Sequence, residues 1–261
     1  MNLHSAIVQF TPKLGDPVYN LKKVDELSRS LNGVDLIVLP ELANAGYNFR
    51  DYDEALACSE SIENGTFTKF LFFLARKKNC YIVSGINEND GGTLYNTAIL
   101  AGPDGLIGKY RKVHLFMNEK DYFEPGNLDF PVFNIKGATV GLQICFDYLF
   151  PEPWGILARK GAEVICHPSN LVTRFAFKVL PAHAVSNRIY ILTANRTGTE
   201  RNLKFTGRSQ VLDPKGNVMV KASAGYQEVL EVVIDTSLSK NKMITERNHV
   251  FRDRRPDLYK E

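Results

Sequence analysis

An α/β fold in one domain, built on a mixed sheet or on two stacked sheets, is what this chain predicts. Three observations carry that expectation. Strand-like and helix-like segments alternate through most of the chain. No Gly/Ser/Pro-rich linker, tandem repeat or low-complexity stretch divides it. With 261 residues, 44% hydrophobic and 23% charged, it can bury a sizeable core.

The elements follow in order. Leu3 to Phe10 reads as a strand. Asp16-Pro17 is a cap followed by a proline suited to a first helical turn, and the helix runs to about Leu31. Asp35 to Leu39 (DLIVL) is a short apolar strand of the kind buried on both faces. Thr66 to Lys78 carries Phe and Leu at helical spacing. Cys80 to Asn87 is a strand, Asn89-Asp90-Gly91-Gly92 a hairpin turn, and Thr93 to Ala101 and Leu106 to Tyr110 are strands around Pro103-Asp104-Gly105. Val113 to Asp129 is irregular. The strand Ala138 to Ile144 leads to Cys145, and a helix spans Pro151 to Lys160. Glu163 to His167 and Ile189 to Asn195 are strands, with a helix near Lys178 to Arg188 between them. Gly207 to Leu212, Asn217 to Ala222 and Gln227 to Asp235 form a closing meander, with Asp213-Pro214-Lys215-Gly216 as a turn.

Composition excludes several classes. The net charge of +3 is spread over mixed signs, which argues against a nucleic-acid partner. The short basic clusters, Arg76-Lys77-Lys78 and Arg252 to Arg255, read as solvated helix ends or subunit contacts. No apolar run reaches the ~20 residues of a membrane span. The N-terminus has neither a basic n-region nor a cleavage site. Cys58, Cys80, Cys145 and Cys166 are scattered with no CxxC, so thiols in a reducing cytoplasm are expected and a zinc site is not. Neither GxGxxG nor GxxxxGKS occurs where a nucleotide site would need it.

Three strand ends carry chemistry-bearing residues. Glu41 follows DLIVL and Pro40, Lys112 follows Gly108-Lys109-Tyr110-Arg111, and Cys145 follows ATVGLQI. The carboxyl ends of strands in α/β sheets converge on one crevice. A cysteine at a sharp strand-to-helix turn is held out of the sheet, with amides beside it that can face an oxyanion. There a carboxylate could take its proton and an amine could stabilise the charge that develops. Each residue also has a plain reading: Cys145 as a small core residue, Glu41 as a cap or salt-bridge carboxylate, Lys112 as a solvated charge. Spacing leaves these open. His114 and His167 are expected to be hydrogen-bonded structural histidines rather than partners of a Cys–His pair.

The segment Leu36-Ile37-Val38-Leu39-Pro40-Glu41-Leu42 with Gly46-Tyr47 resembles the glutamate motif of the nitrilase superfamily of carbon–nitrogen hydrolases. Gly108 to Leu115 (GKYRKVHL) resembles its lysine motif, and Val140 to Asp147 (VGLQICFD) with Phe150-Pro151-Glu152 its cysteine motif. Tyr95-Asn96-Thr97-Ala98, Phe123-Glu124-Pro125-Gly126, Gly161-Ala162-Glu163 and Asn187-Arg188 are further similarities. The resemblance covers essentially the whole chain. It implies a four-layer α-β-β-α sandwich in a single domain, 1–261, with no metal and no organic cofactor. It implies Cys145 as nucleophile, Glu41 as general base then acid, Lys112 as transition-state stabiliser and the Phe146 N–H as part of the oxyanion hole. Glu119 matches a second glutamate that positions substrate and lysine; a loop surface charge is its plain reading. Asn170, Leu171 and Tyr47 are candidates to touch substrate.

The resemblance implies hydrolysis of a non-peptide carbon–nitrogen bond of a small aliphatic amide through a cysteine thioester, with release of ammonia. Cleavage of N-carbamoyl amines is the alternative. Nitrile hydrolysis is the lesser one, because Phe146-Asp147 stands where true nitrilases usually carry Trp-Glu. A non-catalytic scaffold and a redox-sensing thiol protein are the competing classes; the presence of all three reactive residues argues against the first, and the second would exploit a reactive Cys145 without substrate turnover. A homodimer or larger homo-oligomer is expected, with the tail, 245–261, packed between subunits.

Overall fold

The computed structural model describes residues 1–259; the last two positions of the expected tail, 260–261, lie outside the described residues. The first half runs β1 (Asn2–Gln9), α1 (Pro17–Ser28), β2 (Leu36–Val38), α2 (Tyr52–Ala57), α3 (Thr66–Lys78), β3 (Tyr81–Asp90), β4 (Thr93–Gly102) and β5 (Gly105–Arg111). A 3-10 turn, Met117–Asp121, interrupts the irregular stretch. The second half runs β6 (Val132–Ile135), β7 (Ala138–Leu142), a 3-10 turn at Cys145–Leu149, α4 (Pro151–Arg159), β8 (Val164–Ser169), α5 (Ala176–Asn187) and β9 (Tyr190–Asn195). The small strands β10 (Thr199–Glu200) and β11 (Leu203–Lys204) follow, then β12 (Gln210–Leu212), β13 (Val218–Lys221), β14 (Glu228–Asp235) and α6 (Ser237–Lys240).

Two six-stranded sheets result, ordered β14-β1-β2-β3-β4-β5 and β6-β7-β8-β9-β12-β13. Both show the same pairing pattern: one antiparallel pair, two parallel pairs, two antiparallel pairs. The chain therefore repeats one topology, β-α-β-α-β plus a hairpin, although its sequence shows no repeat.

Strand alternation builds the layers. Ala6, Val8, Ile37, Leu39, Ile82 and Ile99 point to one side and pack on Val24 of α1 and Phe67, Leu71 and Leu74 of α3. Leu3, Ile7, Leu36, Val38, Val83 and Leu100 point the other way and share a core with Val140, Leu142, Ile165 and Leu192 of the second sheet. That core continues to Trp154 and Leu157 of α4 and Leu180 and Ala184 of α5. The layers are helix, sheet, sheet, helix. No helix among the described residues is long and apolar enough to cross a membrane.

Most sequence-predicted boundaries agree within two residues, and the exceptions have local causes. α1 ends at Ser28, not Leu31, because Leu31 N–H turns back to the Ser28 carbonyl. The hairpin turn shrinks to Gly91-Gly92, both at positive φ, with Asn89 and Asp90 in the strand. The expected strand Gly207 to Leu212 begins only at Gln210, since Gly207 and Arg208 take positive φ. α2, β6 and the β10–β11 hairpin were not expected; each spans six residues or fewer, too short for a periodic signal. Arg76, Lys77 and Lys78 do form the last turn of α3, where cations complement the helix dipole.

Candidate active site

After β7 the backbone stays extended through Ile144, at φ −126°. It then turns sharply at Cys145, at φ +41°. A left-handed conformation costs a non-glycine residue ~1–2 kcal/mol, and Asp147 holds this one in place. Its Oδ2 accepts hydrogen bonds from the Ile144 N–H and the Tyr110 hydroxyl, both at 2.9 Å. Its Oδ1 lies 2.7 Å from Nδ1 of His114. The Trp154 indole donates to its carbonyl at 3.0 Å. Phe146 follows in the first turn after Cys145, where amides lack partners within the turn.

Glu41 is placed by the end of β2. Leu39 N–H donates to Val83 at 2.8 Å, Gly85 N–H to Pro40 at 3.0 Å and Ala43 N–H to Gly85 at 2.9 Å, so residues 39–43 run tightly along β3. Gly85 is required there: a Cβ on it would sit 2.4 Å from the Glu41 Cα. Lys112 leaves the end of β5, its backbone N–H donating to Asn96 at 2.8 Å.

These strand ends meet. Lys112 Nζ donates to Glu41 Oε1 at 2.7 Å and to Glu119 Oε1 at 2.8 Å. Asn96 Nδ2 donates to Glu41 Oε1 at 2.7 Å. Tyr47 hydroxyl donates to Glu119 Oε1 at 2.8 Å, and the Phe116 N–H donates to its Oε2 at 3.2 Å. Asn170 Nδ2 donates to the Glu41 carbonyl at 3.0 Å. Glu41, Lys112, Glu119 and Cys145 are all buried. Glu41 Oε2 is left with no hydrogen-bond partner among the described residues.

Burial drives the electrostatics. It pushes the Cys145 thiol well above its ordinary range, the Glu41 and Glu119 charges add to this, and Lys112 and the Asn170 backbone N–H oppose it. The resting group is therefore a thiol. Burial alone would lower Lys112, but Glu119 and Glu41 outweigh it and keep the ammonium charged. Burial raises Glu119 to about 6 against the pull of Lys112. Burial lowers His167 to about 4, and its Nε2 lies 2.9 Å from the Cys145 carbonyl. His167 is neutral and turned to backbone, as expected of a structural histidine.

Cys145 lines a narrow cavity with Phe116, Phe146, Tyr148, Asn170 and Leu171. Its free volume of about 10 Å³ is room for roughly one water. Phe146 also borders a wider cleft of about 490 Å³ shared with His114, Leu115, Phe123, Glu124 and Phe150. Asn170 and Leu171, expected near substrate, line the narrow cavity; Tyr47 does not line it, and its hydroxyl donates to Glu119. Two supporting residues were missed, Asn96 and Asp147. The signal for both was a polar residue inside an apolar stretch.

A model of the carbon-nitrogen hydrolase family matches residues 5–241. The chain belongs to the carbon–nitrogen hydrolase family. This carbon–nitrogen hydrolase is 46% identical to a nitrilase of Pyrococcus abyssi over 97% of its own length and 98% of the relative's. It is 30% identical to a citrullinase of Francisella tularensis over 100% and 98% of the two chains. It is 35% identical to human omega-amidase NIT2 over 87% and 85%. Its fold matches Saccharomyces cerevisiae Nit3, a nitrilase-superfamily member, with a TM-score of 0.81 at 28% identity, covering 92% of each chain. It also matches a mutant of an amidase from Nesterenkonia sp. with a TM-score of 0.78 at 26% identity, covering 92% of this chain and 96% of that one. That amidase structure shows Michael addition of acrylamide at its active site cysteine. The four-layer α/β architecture read from the resemblance is the one present.

Proposed function

We propose that the chain hydrolyses a small aliphatic amide through a thioester on Cys145 and releases ammonia. The observation that carries this reading is the division of labour on Glu41: Oε1 is tied by Lys112 and Asn96, and buried Oε2 has no partner among the described residues. A free, desolvated carboxylate oxygen beside a neutral thiol is a base waiting for a proton. Cys145 Sγ attacks the amide carbon as Glu41 takes the thiol proton. The carbonyl oxygen becomes an oxyanion. Lys112 has three N–H donors, two of which are spent on Glu41 and Glu119; the third and the Phe146 N–H serve the oxyanion. Collapse breaks the C–N bond, and Glu41 returns its proton to the departing nitrogen, giving ammonia and a thioester. Water, deprotonated by Glu41, attacks the thioester; the acid leaves and the thiol is restored.

The narrow apolar cavity, with Phe116, Tyr148 and Leu171 on its walls, supports a small, weakly polar acyl group. Names among the relatives favour a second reading, cleavage of a ureido group, since one is a citrullinase. Four free cysteines support a reducing, cytoplasmic setting. The assembly we infer is at least a homodimer, with the exposed Leu258 and Tyr259 of the tail available to a second subunit.

The test is ammonia release from matched small amides, N-carbamoyl amines and nitriles, with Cys145→Ala as control. Release from amides, abolished in the variant, is expected. Release from ureido compounds or nitriles alone would replace the amide reading. Silence across all three would remove the hydrolytic one.

A further inference from the structure

Behind the site lies a second buried ion pair that the reaction does not use. Arg196, just past β9, is fully buried. Its Nη1 donates to Glu200 Oε2 and its Nη2 to the Pro12 carbonyl, both at 3.0 Å. Glu200 Oε1 accepts two consecutive backbone N–H groups, from Tyr47 at 2.9 Å and Asn48 at 2.6 Å. The Arg196 guanidinium also lies 4.0 Å over the Phe205 ring, and Phe205 meets the Tyr47 ring edge-on at 5.9 Å between centroids. Tyr47 hydroxyl then ends on the same Glu119 oxygen that accepts Lys112. Two routes therefore run from Arg196 to Tyr47, one through the Glu200 carboxylate and one through an aromatic ring.

Net stability is a poor explanation for such a pair. Desolvating two charges costs about as much as their attraction returns, and packed apolar residues do as well. What an apolar pair cannot do is accept two amides at fixed points. The approach is close: at Gly46, φ +83°, an added Cβ would meet Glu200 Oε2 at 2.8 Å and Leu14 Cα at 2.7 Å. Arg196 and Glu200 line neither the Cys145 cavity nor the wider cleft; they border a separate cleft of about 500 Å³ with Pro12, Leu14 and Tyr19.

We propose that Arg196 and Glu200 are positioning residues: they fix the Gly46–Asn48 backbone so that Tyr47 holds Glu119, and with it the Lys112 ammonium, where the substrate oxygen arrives. This rests on the reading of Lys112 as the oxyanion donor. The titratable groups around Glu119 are Lys112, Glu41, Tyr47, Tyr122 and Cys145. Of these, the Tyr47 and Lys112 hydrogen bonds favour its ionised form and Glu41 opposes it. If Tyr47 withdraws, Glu119 takes a proton more readily, and the acid limb of activity moves to higher pH.

The experiment compares wild type, Tyr47→Phe, Glu200→Ala and the double variant. Two readouts are taken across pH: kcat and KM for the substrate found by ammonia release, and the rate of Cys145 alkylation by iodoacetamide. Each single variant is expected to lose kcat on the order of 10-fold, with KM within about twofold, the acid limb of kcat moved upward and the alkylation profile moved alike in both variants. The double variant should be no worse than Tyr47→Phe alone, because the two changes act on one contact. Independent, multiplying losses would overturn the proposal. So would Glu200→Ala with a lowered melting temperature but wild-type kcat and acid limbs. Should Glu200→Ala not fold, Arg196→Lys replaces it. A lysine cannot hold Glu200 and Pro12 together with one planar fork, so the same shifts are expected at smaller size, and wild-type behaviour would refute the link. A wild type silent towards every substrate, with alkylation limbs still shifted together in the variants, would sink the hydrolase reading and leave the link standing.

Discussion

Asp147 tests how the nucleophile is held. Alanine there removes the acceptor of three donors: the Ile144 N–H, the Tyr110 hydroxyl and His114 Nδ1. His114 is partly exposed, so water can replace the carboxylate for it. Ile144 and Tyr110 are fully buried, and their donors are orphaned. An orphaned buried donor costs about 1–3 kcal/mol, so the pair costs roughly 2–6 kcal/mol. Release of Cys145 from its left-handed conformation, φ +41°, recovers about 1–2 kcal/mol. The net loss for Asp147→Ala is about 3 kcal/mol, a fall in melting temperature of roughly 10 °C for a chain of this size. Once Cys145 relaxes, kcat should fall on the order of 100-fold, beyond any loss of folded protein. Asp147→Asn separates charge from acceptor geometry. Its amide oxygen can keep Ile144 and Tyr110, and its NH₂ then faces His114, which can exchange tautomer and accept. That variant should lose less than about 1 kcal/mol. Thermal unfolding at one protein concentration, paired with ammonia release, reads both quantities. Equal losses for the two variants, or less than about 1 kcal/mol for alanine, would refute the acceptor argument.

Other predictions rest on the same geometry. Glu119, raised by burial to about 6, is ionised above that pH and holds Lys112; as pH falls through about 6 it takes a proton and activity should fall. In Glu119→Gln that limb should vanish from the kcat/KM profile, and a limb left in place would assign it to another group. Gly85→Ala should push the Glu41 backbone, 2.4 Å from the new Cβ, and cost on the order of 100-fold in kcat; circular dichroism should remain that of the wild type. Light scattering should give at least a dimer, and deletion of residues 245–261 should weaken it; a monomer at all concentrations would contradict the tail's proposed use.

How much of this was legible depended on the range of the interaction. Glu41, Lys112 and Cys145 each follow an apolar strand, and a strand end is a local pattern. Their meeting is not local: it needs β2 and β5 in one sheet, β7 in the other, and the two sheets stacked. Glu119 sits in an irregular stretch and could be named only through the resemblance, because its burial comes from Lys112 and Tyr47 rather than from its neighbours. Asn96 lies mid-strand in β4, and its partner Glu41 is 55 positions away. Arg196 and Glu200 were passed over for the same reason, since a charged pair four residues apart looks solvated until its surroundings are known. Short elements such as α2 fail differently: six residues do not complete two turns of an α-helix.

The repeated topology explains why the site lies between the halves. Each sheet offers parallel strands whose carboxyl ends point the same way, and one sheet alone gives an open crevice exposed to water. In the repeat, β2 corresponds to β8. Glu41 follows the first and Asn170 the second, and Asn170 Nδ2 donates to the Glu41 carbonyl at 3.0 Å. Equivalent positions of the two halves thus close on each other, and the carboxylate between them is fully buried. A buried ammonium stabilises an oxyanion more than a solvated one, because water no longer screens the charge. Stacking the two sheets therefore does what neither could do alone: it excludes water from Glu41 and Lys112 while leaving Cys145, on its strained turn, facing the cavity.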